Sequence, residues 1–432
     1  MKFDTAPPRG MKDLLPPEVE LRDRASAIIL ATYKRYGFRR VETPALENLR
    51  LLLGSGGGEN EKLIYKVLKR GAKLDAATTQ REDDLADLGL RFDLTVPLAR
   101  YYAHNRATLP DPFKAIQIGP VWRAERPQKG RFRQFTQCDI DILGVQSEIA
   151  EIELILATAD ALSAIGLEGL TVRINDRRLL TSLVRHCGFE EGRFDSVFIA
   201  LDKLDKIEAA GVVKELVEEG HAGPAISALM ALLETSTAAT PTPERLAQRL
   251  GDSLDPAASR ALTRIIDTVS GAAAGRLRVV FDPSLVRGMS YYTGPIFEIR
   301  HRNEASSIAG GGRYDRMIGK LLGHDVPATG FSIGFERVIN ILTERGSAGV
   351  DRRAKTAIVF DQDTAHLAAV LAMAHDLWDD GRVVMLELNA KRLGKQLQDL
   401  ESRGFGRVVV FDADGRARDA DLTPRPERER PA

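Results

Sequence analysis

Hydrophobic and polar positions divide this chain into a long mixed portion and a short terminal one. After Pro16 and Pro17, Leu21, Ala25, Ile28, Ile29, Thr32 and Tyr36 recur at three- and four-residue spacing, which predicts a helix that Gly37 ends. RRVETPALE (39–47) predicts a short extended segment. Pro44 removes one ladder donor from it, so it belongs at a sheet edge or a subunit interface. GSGGGENEK (54–62) reads as a loop, and RFDLTVPLARYY (91–102) returns to structure. At 138–142 the period becomes two: Cys138, Ile140 and Ile142 share one face and Gln137, Asp139 and Asp141 the other, the mark of a half-buried strand. A helix (147–165), a strand (170–174) and a helix (176–187) follow.

Residues 190–272 change texture, being rich in Ala, Leu, Glu and Lys at helical spacing, with one polar break at TSTAATPTPE (235–244); they predict a helical insertion. Strand signals resume at RLRVVFD (276–282), PIFEIR (295–300) and the turn-rich SSIAGGGRYD (306–315), and FSIGFERVINIL (331–342) passes from strand to helix. TERGSAGVDRRAK (343–355) has the composition of a linker. Beyond it TAIVF, a helix near 364–380, VVMLEL, a helix near 391–403 and RVVVF predict a βαβαβ unit, after which the chain reads as a charged, proline-broken tail.

A chain of 432 residues exceeds ordinary single-domain size. Its 61 basic and 61 acidic residues cancel, so a polyanionic partner must be met by local patches rather than by a global field. Cys138 and Cys187 form neither a disulfide framework nor a CxxC metal site, which fits a reducing cytosol, and the 7 histidines are too scattered for zinc spacing. No apolar run reaches membrane-spanning length and the first residues lack a signal-peptide core, so a soluble, cytoplasmic protein is expected.

Residues 123–133 concentrate Arg123, Arg126, Lys129, Arg131 and Arg133 and deliver them onto the acidic strand face. Arg337 falls in the first turn of a helix, where its charge opposes the macrodipole unless an anion is bound there. Arg287, in VRGMSYYTG, stands in neither a strand nor a helix pattern. Guanidinium groups give bidentate recognition of phosphate. GxxxxGK[ST] is missing, and neither GSGGGE (54–59) nor AGGGRYD (309–315) has the strand and helix context of a dinucleotide fingerprint. Arginines on an antiparallel sheet must therefore hold any polyphosphate, beside a polar or cationic group received by the acidic face.

A series of stretches in order resembles one family. GPVWRAERPQKGRFRQFTQCDIDILG (119–144) is similar to the second signature of class II aminoacyl-tRNA synthetases in its histidine-specific form. RGMSYYTGPIFE and AGGGRYD resemble the two signatures peculiar to histidyl-tRNA synthetases, and GFSIGFERVINIL the third class II signature. RFDLTVPLARY resembles that family's histidine-site strand, and AKRLGKQLQDLESRG a helix of its anticodon-binding domain, so the likeness runs from residue 9 to about 411. Two departures stand out: Ser290 where many members carry Asp, and no closing strand and helix after 408–411.

The resemblance implies an α+β fold: a six-stranded antiparallel catalytic sheet with flanking helices over residues 1–345, a helical insertion at about 190–272, a linker at 346–355, an anticodon-binding-like α/β domain at 356–411 and a tail at 412–432. It implies a homodimer, with ATP, Mg²⁺, histidine and tRNA(His) as partners. Arg123 would hold the ATP α-phosphate and the attacking carboxylate, Glu125 would approach the adenine, Arg337 would hold the γ-phosphate, and Arg287 would stabilise charge at the α-phosphate. Arg131 and Arg133 would also meet ATP. Asp93, Leu94, Thr95, Gln137 and Asp141 would bind histidine through its amino group and nearby polar atoms, with Tyr291 and Tyr292 lining the imidazole pocket. The resemblance assigns no metal-ligating side chain. Two other activities share these motifs: a synthetase-like regulatory subunit of ATP phosphoribosyltransferase, and an amino-acid-activating relative with a non-tRNA acceptor. Retention of Arg123, Arg287, Arg337 and most of the terminal domain favours the tRNA ligase.

Overall fold

The computed structural model describes residues 3–54, 60–71, 85–126, 132–238, 241–251, 254–287, 291–304, 306–345 and 355–420. Two compact units emerge, Met1–Ile341 and Leu342–Ala432.

The first unit is built on eight strands: β1 (Arg39–Arg40), β2 (Phe113–Trp122), β3 (Gln134–Leu143), β4 (Leu170–Asp176), β5 (Arg278–Phe281), β6 (Pro295–His301), β7 (Ala309–Arg313) and β8 (Ala328–Gly334), in the order β1-β2-β3-β8-β7-β6-β4-β5. The inner six pair antiparallel throughout, while β1 and β5 add parallel edges to β2 and β4. The expected six-stranded sheet is therefore present within a wider mixed one. Helix Pro16–Arg35 ends at Gly37, whose φ of 82° is the left-handed conformation that glycine adopts without strain. It packs on helix Ile149–Ala164, where Tyr36 donates to Asp160 at 2.7 Å. Arg22 reaches Glu336 with two bonds of 2.7 and 2.8 Å. On helix Ile149–Ala164, Glu151 is fully buried and accepts two bonds from Arg313 of β7, at 2.7 and 2.9 Å; pairing is what permits a charge there.

Two sequence expectations change. The extended segment at 39–47 divides at Pro44: β1 joins the large sheet, and Leu46–Asn48 joins Lys66–Leu68 and Ala86–Leu90 in a separate three-stranded sheet. RFDLTVPLARY is not a strand. Asp93 Oδ1 accepts the Val96 N–H at 3.0 Å and starts helix Thr95–Asn105, and Pro97 lies in its first turn, where no N–H is needed. AGGGRYD, where strand signals resume in a turn-rich composition, is a buried strand, β7, as expected. Residues 190–272 do form helices, among them Leu204–Glu218 and Pro256–Ala273.

The second unit has three parallel strands, β9 (Lys355–Phe360), β10 (Val383–Leu388) and β11 (Arg407–Phe411), and a short antiparallel one, β12 (Ala417–Asp419), in the order β10-β9-β11-β12. Strand alternation sorts the core: Ile358 and Val409 pack with Val370 and Ala374 of helix Leu367–Asp379, while Ala357, Val359 and Val408 pack with Leu400 of helix Leu393–Ser402 on the other face. Strand β12 corrects the expected tail. Arg407 pairs with Asp419 at 2.7 Å and Ala420 packs against the second cluster, so structure continues past 412. Residues 421–432 and most of the expected linker lie outside the described residues.

Candidate active site

One face of β3, β8, β7 and β6 floors a cavity of about 530 Å³, lined also by the start of helix Thr95–Asn105, by the chain leaving β2, and by Asp202, Asp205 and Lys206 of the helical insertion. Glycine makes the room. A Cβ on Gly330 would strike the Asp141 carboxylate, and one on Gly312 would come within 2.8 Å of the Tyr292 ring.

Carboxylates and an amide gather on the floor. Asp93, Asp139 and Asp141 are 3, 3 and 2 % exposed, so water cannot solvate their charge. Each keeps one oxygen with no hydrogen-bond partner among the described residues, as does Oε1 of Gln137. The other carboxylate oxygens are engaged: Tyr314 donates to Asp141 Oδ1 at 2.6 Å, Val96 N–H donates to Asp93 Oδ1 at 3.0 Å, and Gln137 Nε2 donates to Asp139 Oδ2 at 3.5 Å as well as to Ser332 at 3.1 Å. Burial pushes the Asp93 carboxyl up to about 6 and that of Asp141 up to about 7. Burial and the neighbouring Asp141 push Asp139 well above the usual carboxylate range. Buried acceptors without donors mark the seat of a group rich in N–H. An ammonium carries three such bonds, and an imidazole N–H a fourth.

Tyr291 and Tyr292 stand beside this floor with ring centroids 4.7 Å apart, and Tyr314 meets Tyr291 edge-on at 5.9 Å. The three rings give a flat polar ligand aromatic walls.

The same cavity receives Arg123, Arg287 and Arg337. Arg123 donates Nε to the Phe92 carbonyl at 2.9 Å and lies 5.0 Å from the centroid of Phe135, which fixes its planar head while leaving other N–H groups for a ligand. Arg337, third residue of helix Phe335–Glu344, donates to the Ser307 carbonyl. Arg287 is half-buried, and its Nε has no hydrogen-bond partner among the described residues.

Of the residues the sequence singled out, the cavity brings together Asp93, Thr95, Arg123, Glu125, Gln137, Asp141, Arg287, Tyr291, Tyr292 and Arg337. Leu94 is buried in the core and contributes its carbonyl, which accepts from Gln117 at 2.9 Å. Arg133 is turned to backbone, donating to the carbonyls of Glu125 at 2.9 Å and Arg9 at 3.3 Å. Arg131 and Ser290 lie outside the described residues. Sequence reasoning passed over Asp139, Tyr314 and Glu298. Asp139 was visible on the polar strand face, and Tyr314 stood in the quoted AGGGRYD, but only packing shows which atoms they meet.

A model of the family described as histidyl-tRNA synthetase matches residues 10–338. The chain is similar to a histidine–tRNA ligase of Leifsonia xyli subsp. xyli, 47% identical over 98% of this chain and 99% of the relative. It is also similar to one of Aeropyrum pernix, 40% identical over 82% of this chain and 78% of the relative. Among solved structures, the histidyl-tRNA synthetase of Nostoc sp. PCC 7120 superposes with a TM-score of 0.77 at 26% identity, covering 97% of each chain. An ATP phosphoribosyltransferase regulatory subunit/histidyl-tRNA synthetase from Bacillus halodurans C shares the fold, with a TM-score of 0.72 at 21% identity over 95% of this chain and 99% of that one.

Proposed function

We infer the function from one premise, that this chain belongs to the histidyl-tRNA synthetase family: it is an ATP-dependent histidine–tRNA ligase, activating histidine as an adenylate and passing it to the 3′ end of tRNA(His). The observation that carries the reading is that buried acceptors without donors and three arginines converge on a single cavity. Adenylation drives a carboxylate against a polyphosphate, so like charges must be screened and the leaving pyrophosphate stabilised. Arg123 holds the α-phosphate together with the histidine carboxylate, Arg287 meets charge developing at the α-phosphorus, and Arg337 holds the γ-phosphate. Glu125 approaches the adenine. The histidine ammonium is shared by Asp93, Gln137 and Asp141 beside Thr95, and the imidazole lies against Tyr291 and Tyr292. Support for these roles comes from the shared cavity and from the fixed head of Arg123.

Mg²⁺ would neutralise the triphosphate and be held chiefly by phosphate oxygens; among the described residues no group of three or more His, Cys, Asp or Glu side chains could hold a metal. No helix among the described residues is long and apolar enough to cross a membrane. The tRNA substrate argues for a cytoplasmic site of action. A homodimer is proposed from the family, and sedimentation of the chain at micromolar concentration tests it.

ATP–pyrophosphate exchange in the presence of each standard amino acid tests the central reading. Histidine alone is expected to drive exchange, with charging of tRNA(His) following; equal exchange with several amino acids overturns the assignment.

A further inference from the structure

Glu298 is an acid in a cavity that receives a polyphosphate, where its charge repels the ligand, so another use must account for it. In register it faces Gly310 of β7 on one side and Arg173 of β4 on the other. Its Oε1 accepts from Arg173 at 2.8 Å and from Arg300 at 3.0 Å, which fixes the carboxylate in one orientation. Its Oε2 is turned to Arg287, 3.9 Å from Nη1. That Arg287 nitrogen lies over Gly310, where an added Cβ would come within 2.5 Å of it, so the guanidinium rests on bare backbone beside the carboxylate. Asp205, at the start of helix Leu204–Glu218 in the insertion, joins the same group by pairing with Arg300 and, at 3.3 Å, with Arg173. Arg173 is further paired with Asp282.

We propose that Glu298 is the positioning residue of Arg287, holding its guanidinium over Gly310 toward the α-phosphate, and that Asp205 extends this clamp to the helical insertion. An unanchored arginine samples many rotamers, and a donor aimed in advance is worth more to a transition state than one that must find its place. The assignment rests on the role given to Arg287 above.

The test is histidine-dependent ATP–pyrophosphate exchange on the full chain for wild type, E298Q, E298D, D205N and R287A, and for E298Q and D205N in the R287A background. E298Q is expected to lower kcat by about 10-fold or more with the histidine KM nearly unchanged, and E298D to recover most of the loss by keeping the charge. D205N, altering a largely exposed side chain, folds whether or not E298Q does and is expected to lower kcat by roughly 2- to 5-fold. Both losses are expected to vanish in the R287A background, because residues acting through one partner are not additive. Equal fold losses with and without Arg287, unchanged kcat in both E298Q and D205N, or a loss confined to the histidine KM would each overturn the assignment. A wild-type chain with no histidine-dependent exchange removes the functional reading itself, and the clamp with it.

Discussion

A carboxyl group denied both water and a cation is stable chiefly as the neutral acid, and Asp141 shows what this costs a protein that keeps such a group buried. Its folded-state value of about 7 lies above the ordinary carboxylate range, so the folded state binds an extra proton between roughly pH 4 and 7. The sign follows: the ligand-free fold is favoured below that window and loses stability as pH rises through it. Asp141→Asn removes the titration, so thermal unfolding without histidine should differ least from wild type at about pH 4, at the foot of the window, and shift several degrees upward relative to wild type at pH 8, while the histidine KM rises. A variant that tracks wild type across this range would show Asp141 to be ionised at no cost. Arg287→Ala should slow single-turnover adenylate formation by about 10²- to 10³-fold, the scale of one lost transition-state donor, with a smaller effect on histidine affinity. Arg337 stood out in the sequence because a cation in the first turn of a helix needs a reason. That three acids each keep one oxygen without a partner depends on atoms far apart in the chain and could not be read there.

Composition alone is a weak guide wherever a segment's conformation is set by what lies across from it. Glycines usually punctuate turns, yet Gly310, Gly311 and Gly312 lie in mid-sheet because side chains there would fill the cavity or strike the neighbouring strand. The three positions separate by experiment. A Cβ on Gly311 would press on the backbone of Gly330 and Phe331, so Gly311→Ala should lower the melting temperature sharply. The three atoms nearest a Cβ on Gly310 all belong to the head of Arg287, so Gly310→Ala should displace that side chain rather than the backbone, leave the fold intact and depress exchange. Equal melting temperatures for the two variants would refute the distinction. RFDLTVPLARY was expected as a strand from the resemblance alone, whereas a local bond from Val96 N–H to Asp93 starts a helix. The insertion helices and the alternating β3 were legible because their periods persist for many residues.

For the whole chain, the terminal unit is where the tRNA-binding proposal is tested. Its parallel strands and two helices form a core of their own, and Lys391, Arg392 and Lys395 are exposed near the start of helix Leu393–Ser402, where we propose that they meet anticodon phosphates. Removal of everything after Glu344 should preserve some histidine-dependent exchange, lower charging strongly and flatten the dependence of tRNA binding on salt. Unchanged charging would mean that this unit does not read tRNA. Deletion of 423–432 should leave exchange and charging within a few-fold, because those residues offer only Ala432 to bury, whereas deletion from 416 also removes β12 and should destabilise the unit.

The two cysteines offer a clock for how the first unit comes apart. Cys138 is fully buried in β3 at the centre of the large sheet, and Cys187 caps helix Arg177–His186 near the entrance to the insertion at 7 % exposure; burial pushes both thiols up and makes them unreactive while folded. Modification of either must wait for an opening that exposes it, so its rate counts such events. Cys187 should be labelled through fraying of a helix end, and Cys138 only when the sheet parts. Histidine alone, without ATP, should slow the second reaction far more than the first, which would let occupancy of the cavity be followed on this chain with no substituted residue and no turnover.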